Sequence, residues 1–112
     1  MKFVKKGQGT PRPATGHTGE WGMMVVEPGK DSQKLGMLLS HFLPEGAFPM
    51  AETKFEMIYF GVSGKVQVKG KNPGEDYIVE SGDLVYMAPG DMREIKVIGT
   101  DPATIFVIMV RG

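Results

Sequence analysis

Apolar residues recur at every second position through much of this chain, in short runs separated by Gly, Pro, Asn and Asp. Residues 65–69 (KVQVK) and 93–98 (REIKVI) alternate apolar with polar, the period of a half-buried strand. Residues 56–60, 76–80 and 84–87 are β-prone, 21–27 (WGMMVVE) form another strand candidate, and Phe3 and Val4 give 1–6 a short one. Residues 35–43 (LGMLLSHFL) are apolar nearly throughout, the pattern of a strand buried on both faces, although a short buried helix has the same composition. Residues 103–110 (ATIFVIMV) read as a final buried strand. Turns are predicted at 28–33, 44–46, 61–64, 70–74, 81–83, 88–90 and 101–102, and the glycine turn at 61–64 (GVSG) is expected to close a hairpin. Residues 7–19 are rich in Gly, Pro and Thr, and Pro11 and Pro13 exclude helix, leaving a loop or extended arm. No segment joins a helical period to caps. The pattern predicts an all-β sandwich or barrel with little or no helix.

Residues 49–68 organise the rest. Glu52, Lys54 and Glu56 alternate with Thr53 and Phe55, so an extended backbone sends all three charges to one face. Such a face is either a solvated edge or the lining of a polar pocket.

The chain has 112 residues, which fits one domain: an arm over 1–19 and a β-barrel over 20–112. Thirteen basic residues balance thirteen acidic ones, and no basic cluster extends beyond Lys5-Lys6. Phosphate neutralisation needs clustered cations, so no nucleic-acid partner is expected. With no cysteine there is no disulfide, zinc–thiolate site or cysteine nucleophile. No apolar run reads as a signal peptide or a membrane span, which leads to the expectation of a cytoplasmic protein with no membrane partner. Sixteen glycines and eight prolines fit a turn-rich chain, and nine methionines fit an adaptable core or pocket.

Two stretches carry a family resemblance. Glu56, two residues, Tyr59, a short apolar run, Gly64 and the alternating KVQV resemble the first cupin motif after its histidines. Gly82-Asp83, an apolar strand and Pro89-Gly90 resemble the start of the second. The separation is similar to that of small single-domain cupins, with one residue inserted at Gly61-Val62. The resemblance spans roughly 35–110 and implies the double-stranded β-helix, the jelly-roll barrel of RmlC-like proteins. Within the family it looks like cupin 2-type domains and, more distantly, metal-poor cupins of the ethanolamine-utilisation kind, through Pro49 and Glu56. The metal-binding pattern is degenerate. The His-x-His positions fall on or near Met50 and Glu52, and the second-motif His falls on Arg93. The chain has two histidines, His17 and His41, neither in a motif. Imidazole-rich chemistry cannot be assembled from them within one chain, so no metal and no cofactor are expected.

The resemblance sends Glu56 into the barrel. It then serves as a buried base, acid or ligand anchor, or else it forms a structural ion pair or a rim charge on the mouth strand. Glu52 forms a second candidate acid–base carboxylate beside Lys54, or both are solvated loop charges. Arg93 either forks onto a ligand carboxylate or phosphate or pairs with Glu94, Glu56 or Asp91 as scaffold. Met50 supplies an apolar wall, and Tyr59 and Tyr86 complete the expected pocket or simply pack. His41 reads as a satisfied core or interface histidine, and His17 as an exposed loop residue. The leading functional expectation is binding of a small organic, possibly anionic, ligand in the barrel without the three-His site. Metal-independent isomerase, epimerase or lyase chemistry with Glu56 or Glu52 as general base is the alternative. A metalloenzyme with an atypical site comes third, and the residues leave open whether the protein is an enzyme. The arm, covering an exposed edge, is expected to support a homodimer.

Overall fold

The computed structural model describes residues 1–12 and 18–111. Among them are nine strands and no helix: β1 (Thr10–Arg12), β2 (Thr18–Val26), β3 (Leu35–Glu52), β4 (Glu56–Ser63), β5 (Val66–Gly70), β6 (Asp76–Val79), β7 (Leu84–Met87), β8 (Met92–Val97) and β9 (Ala103–Val110). The order is β6-β5-β8-β3-β9-β4-β7, with β2 beside β3 and β1 beside β2. Every strand pairing is antiparallel. No described helix is long and apolar enough to cross a membrane.

The order bends into two facing sheets because β3 belongs to both. Its first half pairs with β9, from Leu35↔Val110 to Phe42↔Ala103; its second half pairs with β8, from Ala47↔Lys96 to Glu52↔Met92. This corrects the expectation that Pro44 ends the strand. The chain instead turns a corner and continues for 18 residues. Glu45 takes φ 68° there. A Cβ on Gly46 would stand 2.7 Å from the Gly19 carbonyl oxygen and 2.8 Å from that of Leu43, so glycine lets the backbones pass. Proline is tolerated where a ladder changes partner, since no N–H is demanded at the break.

The expected hairpin at 61–64 does not form. β4 continues to Ser63 and pairs with β7 and β9, whereas β5 pairs with β6 and β8. Gly64, at φ 70°, carries the chain from one sheet to the other. Alternation identifies strands but is silent about partners, which is why the two runs looked like a hairpin. Residues 1–6 form no strand; the arm instead contributes β1.

Strand alternation places the core between the sheets. Leu38 and Phe42, Met57 and Tyr59, and Ile105 and Val107 face Val66, Val68, Ile95 and Val97. Residues 35–43 and 103–110 are buried on one face only, because Met37, Leu39 and His41 alternate outward, as do Thr104, Phe106 and Ile108.

Candidate ligand site

One end of the space between the sheets is not filled. It holds a cavity of about 260 Å³ whose deep walls are apolar, with Leu38, Phe42, Met57, Ile105 and Val107 among them. Its polar lining is Arg93, Tyr59 and Ser40 at depth, and Arg12, Glu20, Glu52, Thr53 and Lys54. Three cations and two carboxylates therefore share the site.

Arg93 is the unusual member. In β8 the alternation that sends Ile95 and Val97 inward sends Arg93 inward as well, and only 7% of it is exposed. Burying a guanidinium is costly unless its donors are satisfied. Nε donates to the Tyr59 hydroxyl at 3.0 Å, Nη1 donates to the Ala51 carbonyl oxygen at 2.9 Å, and the Phe48 ring lies under the guanidinium, 4.4 Å from Cζ to centroid. All three partners are neutral. Arg93 forms no salt bridge with Glu94, Glu56 or Asp91. Nη2 makes no hydrogen bond to a described residue, and neither does Ser40 Oγ, although Ser40 is only 6% exposed. No fully enclosed side-chain nitrogen or oxygen among the described residues lacks a partner, so both atoms are open to the cavity they line.

Tyr59 is 2% exposed. Burial pushes its phenol above the usual tyrosine range, and the opposing pull of Arg93 is smaller. The hydroxyl is thus neutral and accepts from Arg93. At the mouth, Thr53 fixes the segment between β3 and β4. Its N–H donates to the Asp91 carbonyl at 2.8 Å, its carbonyl accepts from Gly90 N at 2.8 Å, and its hydroxyl lies 2.7 Å from the Ala88 carbonyl oxygen and 3.0 Å from that of Asp91. Glu52 and Lys54 flank this anchor.

Of the residues singled out in the sequence, Glu52, Lys54, Tyr59 and Arg93 line the cavity, and Met50, Glu56 and Tyr86 do not. The inward placement of Glu56 is therefore corrected. The chain bends at Lys54 and Phe55, so one alternation does not run from Glu52 to Glu56. In β4 it is Met57 and Tyr59 that face the core, leaving Glu56 exposed. Glu56 instead accepts a 2.8 Å hydrogen bond from the hydroxyl of Tyr86, which is also exposed. Met50 is exposed beside the irregularity between Phe48 and Ala51. Arg12, Glu20, Ser40 and Phe48 were missed. Ser40 was legible, since it sits two residues from Leu38 and Phe42 on the inward face of β3. Arg12 was not, because its place depends on β1 pairing with β2, Arg12 opposite Gly22.

A cupin metal does not fit these residues. Arg93 puts a guanidinium at the depth of the cavity, which repels a cation, and no described residue of the cavity is an imidazole. Among the described residues no three His, Asp or Glu side chains are grouped to hold a metal ion. His41 faces outward, with Nδ1 3.0 Å from Thr104 Oγ1 and its ring 5.2 Å from that of Trp21. His17 lies outside the described residues.

Solved structures resemble this arrangement over its whole length. The polyketide cyclase RemF from Streptomyces resistomycificus superposes with a TM-score of 0.87 at 12% identity, covering 100% of this chain and 80% of its own. A predicted oxalate decarboxylase from Thermotoga maritima gives 0.85 at 15% identity, covering 99% and 100%. An RmlC-like cupin from Shewanella frigidimarina gives 0.80 at 12% identity, covering 100% and 92%. This chain has the cupin fold. At such identities the likeness speaks for the cupin architecture alone. No protein-family model matches the sequence, and no curated protein matches it. Among cupin structures similar to this one, a domain from Silicibacter pomeroyi is described as a sugar phosphate isomerase, at a TM-score of 0.71 and 14% identity over 84% of this chain and 60% of its own. The cupin barrel thus accommodates different chemistries, and the site has to be read from its own residues.

Proposed function

We propose that this cupin binds a small organic acid, a carboxylate on a largely apolar body, in its barrel cavity. The observation that carries the reading is Arg93: a buried guanidinium with three neutral partners and with Nη2 open to the cavity. Two of the five N–H groups of a guanidinium are spent on protein, and the end bearing Nη2 remains for an anion. A ligand carboxylate would give Arg93 the direct anionic partner that its three protein contacts do not, and the Ser40 hydroxyl offers a second polar contact. The apolar walls favour a hydrocarbon or aromatic body, and the volume lies just below the roughly 300–1,000 Å³ of sites for drug-sized molecules. The test is thermal unfolding with benzoate, phenylacetate and hexanoate, each against its neutral amide. Carboxylates are expected to raise Tm, amides to leave it unchanged, and Arg93→Met to abolish the difference while the β-sheet circular dichroism spectrum is kept. Equal shifts from acid and amide would sink the reading.

A second reading rests on Glu52, a carboxylate lining the same cavity as Arg93. An acid held by Arg93 places its neighbouring carbon within a site that also contains a base, the requirement of metal-independent isomerase or lyase chemistry. Glu56, outside the cavity, does not share that role. Turnover of a bound acid that Glu52→Gln removes, with affinity unchanged, distinguishes catalysis from binding alone.

A further inference from the structure

Two small residues placed opposite each other shape the cavity. The inward positions of β2 are Glu20, Gly22 and Met24, and the β3 residues paired with them are Phe42, Ser40 and Leu38. The flanking pairs, Glu20–Phe42 and Met24–Leu38, are large. The middle pair, Gly22–Ser40, is small, and both of its members line the cavity. A notch therefore crosses the wall along this one row, between bulkier rows on either side. It is polar at one point. Ser40 is 6% exposed, and its hydroxyl, which makes no hydrogen bond to a described residue, opens into the cavity. A buried hydroxyl calls for a partner from whatever occupies that space.

The fold does not demand glycine at position 22. Its φ lies outside the left-handed region, so any residue can adopt its backbone conformation. The β2–β3 register is regular from Glu20 to Met24, so no bulge accounts for it. No backbone crowds it. Among the described residues, the nearest neighbours of a Cβ would be side-chain atoms: Leu38 Cδ1 at 3.3 Å, Arg12 Cβ at 3.7 Å and Glu20 Oε1 at 3.8 Å. Only the first is tight, and Leu38 borders the cavity, into which its methyl can swing. Gly46 and Gly61 differ, because a carbonyl oxygen would stand 2.7 Å and 2.0 Å from a Cβ there. Glycine weakens a strand interior, and where neither bulge nor bend explains it, close approach of a ligand or another backbone does.

We propose that Gly22 sets the size of the ligand: the body of the bound acid lies against the bare Cα of Gly22, in the notch beside Ser40. The inference rests on the reading of Arg93 as the carboxylate anchor. Arg93 enters from β8 in one sheet, and Gly22 lies on β2 in the facing one, so an acid anchored on the first wall extends its body toward the second. A methyl at position 22, with the Leu38 methyl that it displaces, would take up the notch. A narrow acid then still fits, and a ring does not.

Calorimetric titration of butyrate, hexanoate and phenylacetate into the parent, Gly22→Ala and Gly22→Val tests the proposal. Phenylacetate is expected to bind about tenfold more weakly to the alanine variant and more weakly still to the valine variant, and butyrate to change by less than about threefold in the alanine variant. Unliganded Gly22→Ala is expected to melt at or above the parent's Tm, since alanine restricts the unfolded chain more than glycine does. A melt well below the parent's shows that the fold needs this glycine and overturns the proposal. Equal losses for butyrate and phenylacetate overturn it too, because a steric stop depends on size. Acids that bind the parent and lose nothing in Gly22→Ala overturn it while leaving the reading of Arg93 intact, and a parent that binds none of the three overturns both. Nuclear Overhauser contacts in the unaltered protein give a second readout that does not rely on a variant folding. Ring protons of bound phenylacetate are expected to touch the Gly22 α-protons. Contacts to the Met57 and Ile105 methyls with none to Gly22 put the body elsewhere and overturn the proposal.

Discussion

Arg93 on β8 donates a 3.0 Å hydrogen bond from Nε to the hydroxyl of Tyr59 on β4, joining the two sheets through the middle of the barrel. Neither strand pairs with the other, so this side-chain bond is a direct polar tie across the core. It is also part of the limited solvation that the buried cation receives. A hydrogen bond to a charged group contributes more than one between neutral groups, about 1.5–3 kcal/mol net. Tyr59→Phe keeps the ring and removes only the acceptor. We expect it to lower unfolding free energy by about that amount in denaturant melts. A variant as stable as the parent would mean that water or another group already solvates Nε.

The same residue governs stability at high pH. Burial holds the Tyr59 phenol above its ordinary value of 10.0 in the folded protein. Between the unfolded and folded values the unfolded chain has lost a proton that the native state retains, so stability present below the unfolded value is lost as pH rises through the folded one. The Tyr86 phenol is also raised, chiefly by its hydrogen bond to Glu56, and acts with the same sign. Unfolding free energy should therefore decline above pH ~10. Tyr59→Phe should decline less steeply than the parent over that range. Parallel slopes would show that Tyr59 titrates normally.

Thr53 is the mechanical link between the mouth of the cavity and the turn that precedes β8. It is 2% exposed, and its hydroxyl reaches two carbonyl oxygens of that turn. Thr53→Val keeps the shape and removes the donor, which leaves buried carbonyls to find other partners. A cost of about 1–3 kcal/mol is expected, with Thr53→Ser recovering most of it. Hydrogen exchange provides the check: amides of residues 52–55 and 90–93 should lose protection together in the valine variant. Loss confined to one segment would show that the two are held independently.

The fold was legible because strand periodicity is a local property. The runs at 65–69, 76–80, 84–87 and 93–98 needed no knowledge of their partners to be recognised, and all four are strands. Partnership is not local. The GVSG segment looked like a hairpin because its flanks alternate, yet those flanks lie in different sheets. The site was half legible for the same reason. Arg93 and Tyr59 occupy strand positions whose inward parity follows from Ile95 and Met57 beside them. Glu56 was misplaced because one alternation was run through a bend at Lys54 and Phe55. Arg12 reaches the cavity from a strand of three residues, too short to announce itself.

Asp31 ties the start of the arm to the β2–β3 connection. Its carboxylate accepts from Lys2 Nζ and, at 2.9 Å, from the Glu27 N–H, and these two contacts hold it below the ordinary carboxylate range. A depressed carboxylate contributes stability that is present above the unfolded value of 3.8 and is lost as pH falls through the folded one. Exposure and salt screening keep the contribution small. The readout is local. Limited proteolysis after Lys2, Lys5 or Lys6 should accelerate in Asp31→Asn or on acidification, while unfolding of the barrel changes little. Unchanged cleavage would show that the arm is held from β1 onward instead.

The β4–β9 register shifts by one residue beside Gly61. Gly61 pairs with Ile105 and Ser63 with Thr104, so Val62 is the extra residue of a bulge in β4. At that point the backbone lies against the turn between β6 and β7. Gly61 N donates to the Asp83 carbonyl, Gly82 N donates to the Gly61 carbonyl, both at 2.9 Å, and a Cβ on Gly61 would fall 2.0 Å from the Glu80 carbonyl oxygen. Backbone cannot rotate away as a side chain can, so Gly61→Ala must separate the strand from the turn. A loss of about 3 kcal/mol is expected, at the upper end of overpacking costs. Val62 is 43% exposed and lies outside the register, so Val62→Ala should stay within about 0.5 kcal/mol of the parent. Deleting Val62 should also leave both flanking pairs able to form. Denaturant melts of the three variants decide the matter. If the deletion is as damaging as Gly61→Ala, the bulge itself positions the β6–β7 turn; if it is tolerated, the close approach at Gly61 alone does so.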